Sequence, residues 1–313
     1  MSNTSIPKPN GLYSPHSWIS WFSFAIVWLL IRLPYRWLLF ISQILAYPLL
    51  YLARRRRKIT DLNLQTCFPE MDKQQRQRLT HQHFASVIMG VFEMGIAWWL
   101  PDQRLKNMIE VEGIEHLEKA LEKRKGVLLI SPHFTCLEII GRLFKMRVNK
   151  PWSGMYRPHE NPVVEYFFRR YRSSFFSSLI GRDDIRSFVK ELRKNQIVWF
   201  ATDQNVRTKG LVMAPFFGVP ASSQTGVSRI QKMTGATVIP MGYRRRQDRP
   251  GYVITFYPSP EDFPSEDEVE NATIINKLYE AMIQDALEQY FWLHRKFKIK
   301  GKGTTDIYRQ RGI

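Results

Sequence analysis

The sequence predicts an α/β fold, a largely parallel sheet flanked by helices, with an N-terminal hydrophobic helical membrane anchor. Three observations carry this. From residue 127 onward short apolar runs alternate with amphipathic stretches, the pattern of strands joined by crossover helices and covered on both faces. Residues 59–125 lack that alternation and read as mostly helical. Residues 18–53 are almost wholly apolar, and a basic cluster follows at once. With 313 residues the chain is long enough for one large domain or two small ones, and it divides into an anchor with its basic flank, 1–58, and a domain, 59–313.

The anchor contains two runs, WISWFSFAIVWLLI (18–31) and WLLFISQILAYPLLYLA (37–53), separated by Arg32, Leu33, Pro34, Tyr35 and Arg36. The second is at the short end of what crosses a bilayer and the first is shorter. One span, a re-entrant pair broken at Pro34, and a buried amphipathic anchor all remain open. A basic leader and a small-residue cleavage site, the marks of a secretory signal peptide, are not seen. Arg54–Lys58 directly after the apolar run suits a cytoplasmic flank near anionic headgroups.

Within 74–100 the apolar residues Leu79, Phe84, Ile88, Val91 and Met94 recur at three- and four-residue spacing, predicting a helix. A second helix, IEHLEKALEKRKG, closes at Gly126. The apolar runs 127–130, 152–156, 197–202, 237–243 and 252–258 are expected as strands. Helices are expected over 137–147, 161–176, 184–195, 222–235 and 268–289.

Lysine and arginine number 46 against 28 acids, a formal net charge of +18. Such a surface favours a polyanion, an anionic membrane or an acidic protein. The apolar neighbour of the basic cluster points to membrane rather than nucleic acid. Cys67 and Cys136 are too few for a disulfide framework and suit a reducing compartment. The seven histidines show no zinc-ligand spacing, so neither metal nor cofactor is expected.

The chemistry gathers at LLISPHFTCLE (128–138), where a buried strand hands over His133 and, five positions on, Glu138. Active groups of parallel sheets collect beyond the carboxyl ends of strands. A hydroxyl nucleophile needs a base near neutral pH, and histidine supplies one when a carboxylate fixes its tautomer. The spacing permits Glu138 to be that carboxylate, with direct transfer and no covalent intermediate. Cys136 reads as buried filler, and His81 and His83 as surface and core residues. Asp203 ends a strand at the same sheet edge, either orienting an arginine or a substrate hydroxyl or capping a loop or helix. The stretch SSQTGVSRIQKMTGA opens a helix that Ser and Thr cap, or offers backbone N–H groups to a phosphate.

HFTCLE resembles the His-x4-Asp/Glu block of the glycerolipid acyltransferases, in the Glu form of the late acyltransferases of lipid A biosynthesis. Four further blocks resemble the same family in order: RRRRKITDLNLQTCFPE (54–70), MYRPHENP (155–162), TDQNVRTKGLVMAPFFGVPASSQTG (202–226) and EQYFWLHRKFK (288–298). The resemblance, spanning about residues 16–300, implies a glycerolipid-acyltransferase-like core. It implies an inner-membrane enzyme with its catalytic domain on the cytoplasmic face. The reaction implied moves an acyl chain from acyl carrier protein to a hydroxyacyl hydroxyl of an anionic, Kdo-bearing lipid A precursor. His133 becomes the base, Glu138 its partner and Arg172 a substrate ligand, with Arg169 and Arg170 on the same helix.

The residues agree with that picture. Phosphates and acidic sugars call for forked guanidinium donors, for which Arg157, Arg172, Arg182 and Arg295 are candidates. The aromatic-rich helices at 84–99 and 167–176 are candidates for an acyl slot, and YFWLH for packing the domain onto the anchor. Rivals are acylation of another glycolipid or lysophospholipid, thioester hydrolysis, and a non-catalytic membrane-tethered binding module.

Overall fold

The structure, a computed structural model, describes residues 9–204, 210–298 and 306–313. Four helices open it: α1 (Trp18–Leu30), α2 (Tyr35–Leu52), α3 (Arg54–Cys67) and α4 (Lys73–Trp99). A short α5 (Asp102–Leu105) leads to β1 (Ile109–Glu112) and α6 (Ile114–Glu122). Next come β2 (Val127–Ser131), α7 (Leu137–Val148), β3 (Trp152–Tyr156), α8 (Pro162–Phe175), β4 (Ser178–Gly181), α9 (Ile185–Arg193) and β5 (Ile197–Ala201). After these come the hairpin β6 (Leu211–Phe216) and β7 (Val219–Gln224), then α10 (Gly226–Thr234) and β8 (Thr237–Arg245). The last elements are β9 (Tyr252–Phe256), α11 (Glu268–Gln284) and α12 (Ile307–Gln310).

Seven strands form one sheet in the order β1-β9-β8-β2-β5-β3-β4, parallel except where β8 meets β9. The α/β class and largely parallel sheet are those the alternation predicts. β2 lies at the centre, every residue buried, which is why it reads as an unbroken apolar run. β1 and β4 carry no comparable signal, having four residues each. Residues 222–224, expected in a helix, belong instead to β7, and α10 starts at Gly226. Pairing with β6 decides this, and Asn276 of α11 holds the Ser223 hydroxyl at 2.9 Å. α11 ends at Gln284, short of the expected 289.

No single helix among the described residues is long and apolar enough to cross a membrane. The chain breaks between α1 and α2 near Pro34, one of the arrangements the sequence left open, and bends again by 102° between α2 and α3, the pair that together has the length and composition for a broken span. Both α1 and α2 lie against α4. Phe24 sits 5.7 Å from Trp98, and a Cβ on Gly95 would come within 2.7 Å of Val27, so the close approach of α1 needs glycine there. The opposite faces are apolar yet exposed, including Trp18, Ile19, Phe22, Trp37, Phe40 and Leu52. Arg54–Lys58 form the exposed first turns of α3.

Deeper in, α2, α4, β8 and β9 are joined by a buried ion pair. Arg245 donates to both oxygens of Glu93, at 2.5 and 2.7 Å, and the Tyr252 hydroxyl donates to Glu93 at 2.8 Å. Arg245 also reaches the Ser86 hydroxyl, 3.1 Å away, and Ser86 in turn meets Thr135 at 2.7 Å. Removing one partner of so enclosed a pair costs about 3–5 kcal/mol, because the other charge is left unpaired. This network therefore ties α4, on which α1 and α2 pack, to the turn that follows β2.

Candidate active site

β2 and β5 are neighbours, with Ser131 opposite Ala201 in parallel register. Two residues beyond each partner stand His133 and Asp203, so the register alone brings them side by side. The Asp203 carboxylate accepts from the His133 main-chain N–H at 3.1 Å and makes a short hydrogen bond with ring Nδ1. An ionised carboxylate only accepts, so Nδ1 carries the proton, and in the neutral ring that leaves the lone pair on Nε2. The Asp203 side chain is buried, while that of His133 is 28% exposed and lines a cleft. Burial works to raise the Asp203 carboxyl. The His133 ring and main-chain N–H, together with the Lys296 ammonium, outweigh it and hold the group below the ordinary carboxylate range.

The His133 turn is fixed from several sides. The Tyr243 hydroxyl donates to the Pro132 carbonyl at 3.0 Å. The main chain of Phe291 donates to His133 O at 3.0 Å, and that of Thr135 to Gln289 O at 2.8 Å. From α4, Gly90 approaches so closely that a Cβ would lie 2.4 Å from the Thr135 carbonyl. The EQYFWLHRKFK block thus straps the turn. It also binds α3, where Asn63 donates to the carbonyls of Trp292 and His294 at 2.8 Å. Packing against the anchor side, expected of YFWLH, is part of its role, and clamping the His133 turn is the part the sequence did not disclose.

Glu138 is not the partner of His133, contrary to the expectation from spacing. It lies in the first turn of α7 and pairs with Arg172 of α8, whose Nε is 3.2 and 3.3 Å from its two oxygens while an η nitrogen makes a shorter contact. The reason is directional: the helical side chain points away from the strand axis, and the neighbouring strand β5 supplies the carboxylate instead. Arg172 is also flanked by the rings of Phe168 and Tyr156, at 4.7 and 5.6 Å. Burial lowers its pKa, but Glu138 more than compensates and keeps the guanidinium charged. Asn161 caps α8 through Val163 and Val164 N–H, with Pro162 at the first helical position, which explains the Asn-Pro pair. Arg169 approaches Glu165, and Arg170 the Tyr166 hydroxyl, both on the exposed side.

The cleft, of about 580 Å³, is lined by His133 together with Arg157, Arg172, Arg182 and Arg229. Met155, Ile185, Trp199, Phe200, Ile230 and Met233 give it apolar walls. Basic rim and apolar walls suit an anionic amphiphile. Two expectations fail here. Arg295 is not on the cleft: it donates to the C-terminal Ile313 carbonyl and lies 5.5 Å over the Tyr308 ring. The aromatic faces of α4 and α8 are not an open slot, because they pack on each other, with Trp98 5.9 Å from Phe167 and 5.3 Å from Tyr171. Residues 205–209 of the TDQN block lie outside the described residues.

Cys136 is wholly buried at the start of α7, and burial, with Glu93 adding to it, pushes its thiol far up, so it stays protonated and unreactive. His83 is buried with its Nδ1 3.1 Å from the Glu288 carbonyl, and burial pushes it down to about 4. His81 rests 4.3 Å from the Tyr47 ring.

A histidine–carboxylate pair at the mouth of a basic, apolar-walled cleft on a parallel sheet is the kind of site that suits acid–base chemistry on an anionic amphiphile. Residues 8–299 match the bacterial lipid A biosynthesis acyltransferase family, and the chain belongs to it. It is 36% identical over 310 residues to the lipid A biosynthesis lauroyltransferase of Escherichia coli (strain K12), covering 97% of this chain and 100% of that one. It is 35% identical over 295 residues to the palmitoleoyltransferase of the same strain, covering 94% and 95%, and 31% identical over 316 residues to a lipid A biosynthesis acyltransferase of Haemophilus influenzae, covering 98% and 100%. The protein is an acyltransferase of lipid A biosynthesis.

Proposed function

We propose that the protein transfers a fatty acyl chain from acyl carrier protein to a hydroxyacyl hydroxyl of a Kdo-bearing lipid A precursor, with His133 as base and Asp203 orienting it. The observation that carries this reading is the His133 ring, bonded to buried Asp203 through Nδ1 and open to the arginine-rimmed cleft through its other edge. Nε2 takes the acceptor hydroxyl's proton as the oxygen attacks the thioester carbonyl. The tetrahedral adduct then collapses, the C–S bond breaks, and the imidazolium returns the proton to the carrier's thiol. Asp203 stabilises the imidazolium while it exists. Glu138 holds Arg172 in the cleft wall, where the guanidinium faces anionic groups of substrate.

The exposed apolar faces of α1 and α2 support attachment of residues 1–58 to the cytoplasmic face of the inner membrane. Full burial of each large apolar side chain stabilises by about 1.5–3 kcal/mol, and each residue of Arg54–Lys58 adds roughly 1 kcal/mol near anionic headgroups. The +18 net charge also suits an acidic carrier protein.

Mass spectrometry of lipid A from cells with and without the protein tests the reading. Cells lacking it should accumulate lipid A short of one secondary acyl chain, restored by the wild-type protein and not by His133→Ala. Unchanged lipid A beside an altered lysophospholipid or other glycolipid pool would move the acceptor to that class. Restoration by His133→Ala would leave only a binding role.

A further inference from the structure

We propose that Lys296 is a positioning residue of the transfer reaction, its buried ammonium anchoring Asp203 and balancing that carboxylate's charge while His133 is neutral. The inference rests on the reading of His133 and Asp203 as the base and its orienter. Lys296 lies in the C-terminal block, is 4% exposed, and donates from Nζ to the Asp203 main-chain carbonyl at 2.9 Å. Its ammonium also lies 4.6 Å from the centre of the Phe216 ring on β6. The electrostatic partners facing it are Asp203 after β5, Cys67 of α3 and Glu280 of α11. The Cys67 thiol is pushed up by burial and is neutral. Glu280 is engaged with the main-chain N–H of Phe217, at 2.7 Å.

A buried carboxylate bonded to the His133 ring, with a buried ammonium held on that same aspartate's main chain, has a chemical consequence. In the resting state His133 must be neutral to accept a proton, so its ring cannot neutralise Asp203. A carboxylate buried alone takes up a proton or draws one onto its histidine. Among the described residues, the other cation that holds Asp203 ionised is Lys296. Burial pushes Lys296 down to about 8, partly offset by attraction to Asp203, so it remains largely charged at neutral pH. When His133 takes the acceptor's proton, the same carboxylate faces two cations, which favours return of that proton to the leaving thiolate. The main-chain bond adds position to charge: it fixes the Asp203 backbone at the end of β5, opposite the end of β2.

The sign of the test follows. Without the ammonium, the His133–Asp203 pair binds a proton more readily, so a higher pH is needed to free the base. The measurement is kcat/KM against pH for the purified full chain in detergent micelles, with acyl-loaded acyl carrier protein and a Kdo-bearing lipid A precursor. Lys296→Met should move the acid limb up by roughly 1 pH unit, about a tenfold deficit well below the limb that closes on the plateau. Lys296→Arg, which keeps the charge, should restore the wild-type limb. A Met variant with a uniformly lower rate and an unmoved limb would reduce Lys296 to a packing residue and overturn the proposal. Should Lys296→Met not fold, Lys296→Gln, which keeps a donor for the Asp203 carbonyl and removes the charge, carries the test: its acid limb should rise likewise, and an unmoved limb overturns the proposal. His133→Ala, run in parallel, separates the two levels, since full activity there sinks the base assignment itself.

Discussion

Two carboxylate pairs border the cleft, and they are built differently. Asp203 faces His133 from a neighbouring strand end, with the ring open to the cleft on its far edge. Glu138 faces Arg172 from one helix to another, and it holds two points of the guanidinium fork. The first pair contains an imidazole, whose ring nitrogens can accept and donate a proton. The second contains an arginine, which stays protonated. In the proposed mechanism the chemistry follows from which group the carboxylate orients, not from the proximity of a carboxylate to the cleft. A third pair, Glu93–Arg245, is more deeply buried than either and has no face on the cleft, and its role is cohesion.

The sharpest way to break the contrast is His133→Ala. Loss of general base catalysis lowers kcat by about 10²–10⁴-fold with the fold intact, measured by transfer of labelled acyl chains; activity within twofold of wild type would end the assignment. Asp203→Asn comes next. An amide that presents its NH2 to Nδ1 stabilises the wrong tautomer, and the expected loss is about 10²-fold or more. Glu138→Asn should fall well short of that loss if the two pairs do differ in role.

Arg172→Lys tests the second pair. Exchanging the fork for a point charge should cost about 1.5–3 kcal/mol, one to two decades in kcat/KM. The loss should appear when the lipid acceptor is varied, and Arg169→Ala and Arg170→Ala should be much milder. An effect confined to the acyl donor would assign Arg172 to the carrier side of the cleft. The smallest effect belongs to Cys136→Ser, which should stay active because its buried thiol takes no covalent part. Trapping an acyl thioester on Cys136 would overturn direct transfer.

Much of the fold was legible because its cues are local. β2 reads as a strand from four consecutive apolar residues, and Asn161-Pro162 opens α8 by a cap that involves only its own next turns. The N-terminal apolar helices α1 and α2 were visible in composition, and Pro34 marked the break between them. What failed was non-local. The hairpin β6–β7 is held by cross-strand pairing and by Asn276, some fifty residues on from Ser223, so its polar residues gave no strand pattern. Arg295 carried the right charge in the right block, yet its guanidinium donates to the Ile313 carbonyl and lies over the Tyr308 ring.

His133 was singled out from the sequence alone, since an apolar strand ending in a histidine turn is a local signal. Asp203 was noticed at the same sheet edge, but nothing along the chain says that β5 lies next to β2, with β3 and β4 displaced to the far side. That adjacency comes from the crossovers, and the parallel register then sets residues seventy positions apart at equal height. Sequence spacing instead favoured Glu138, five residues away, because contact along a chain is easier to read than contact across a sheet. The residue types that can do the chemistry were written in the sequence. Which carboxylate meets which cation was decided by strand order and by the direction each side chain leaves its element, and both are properties of the packed whole.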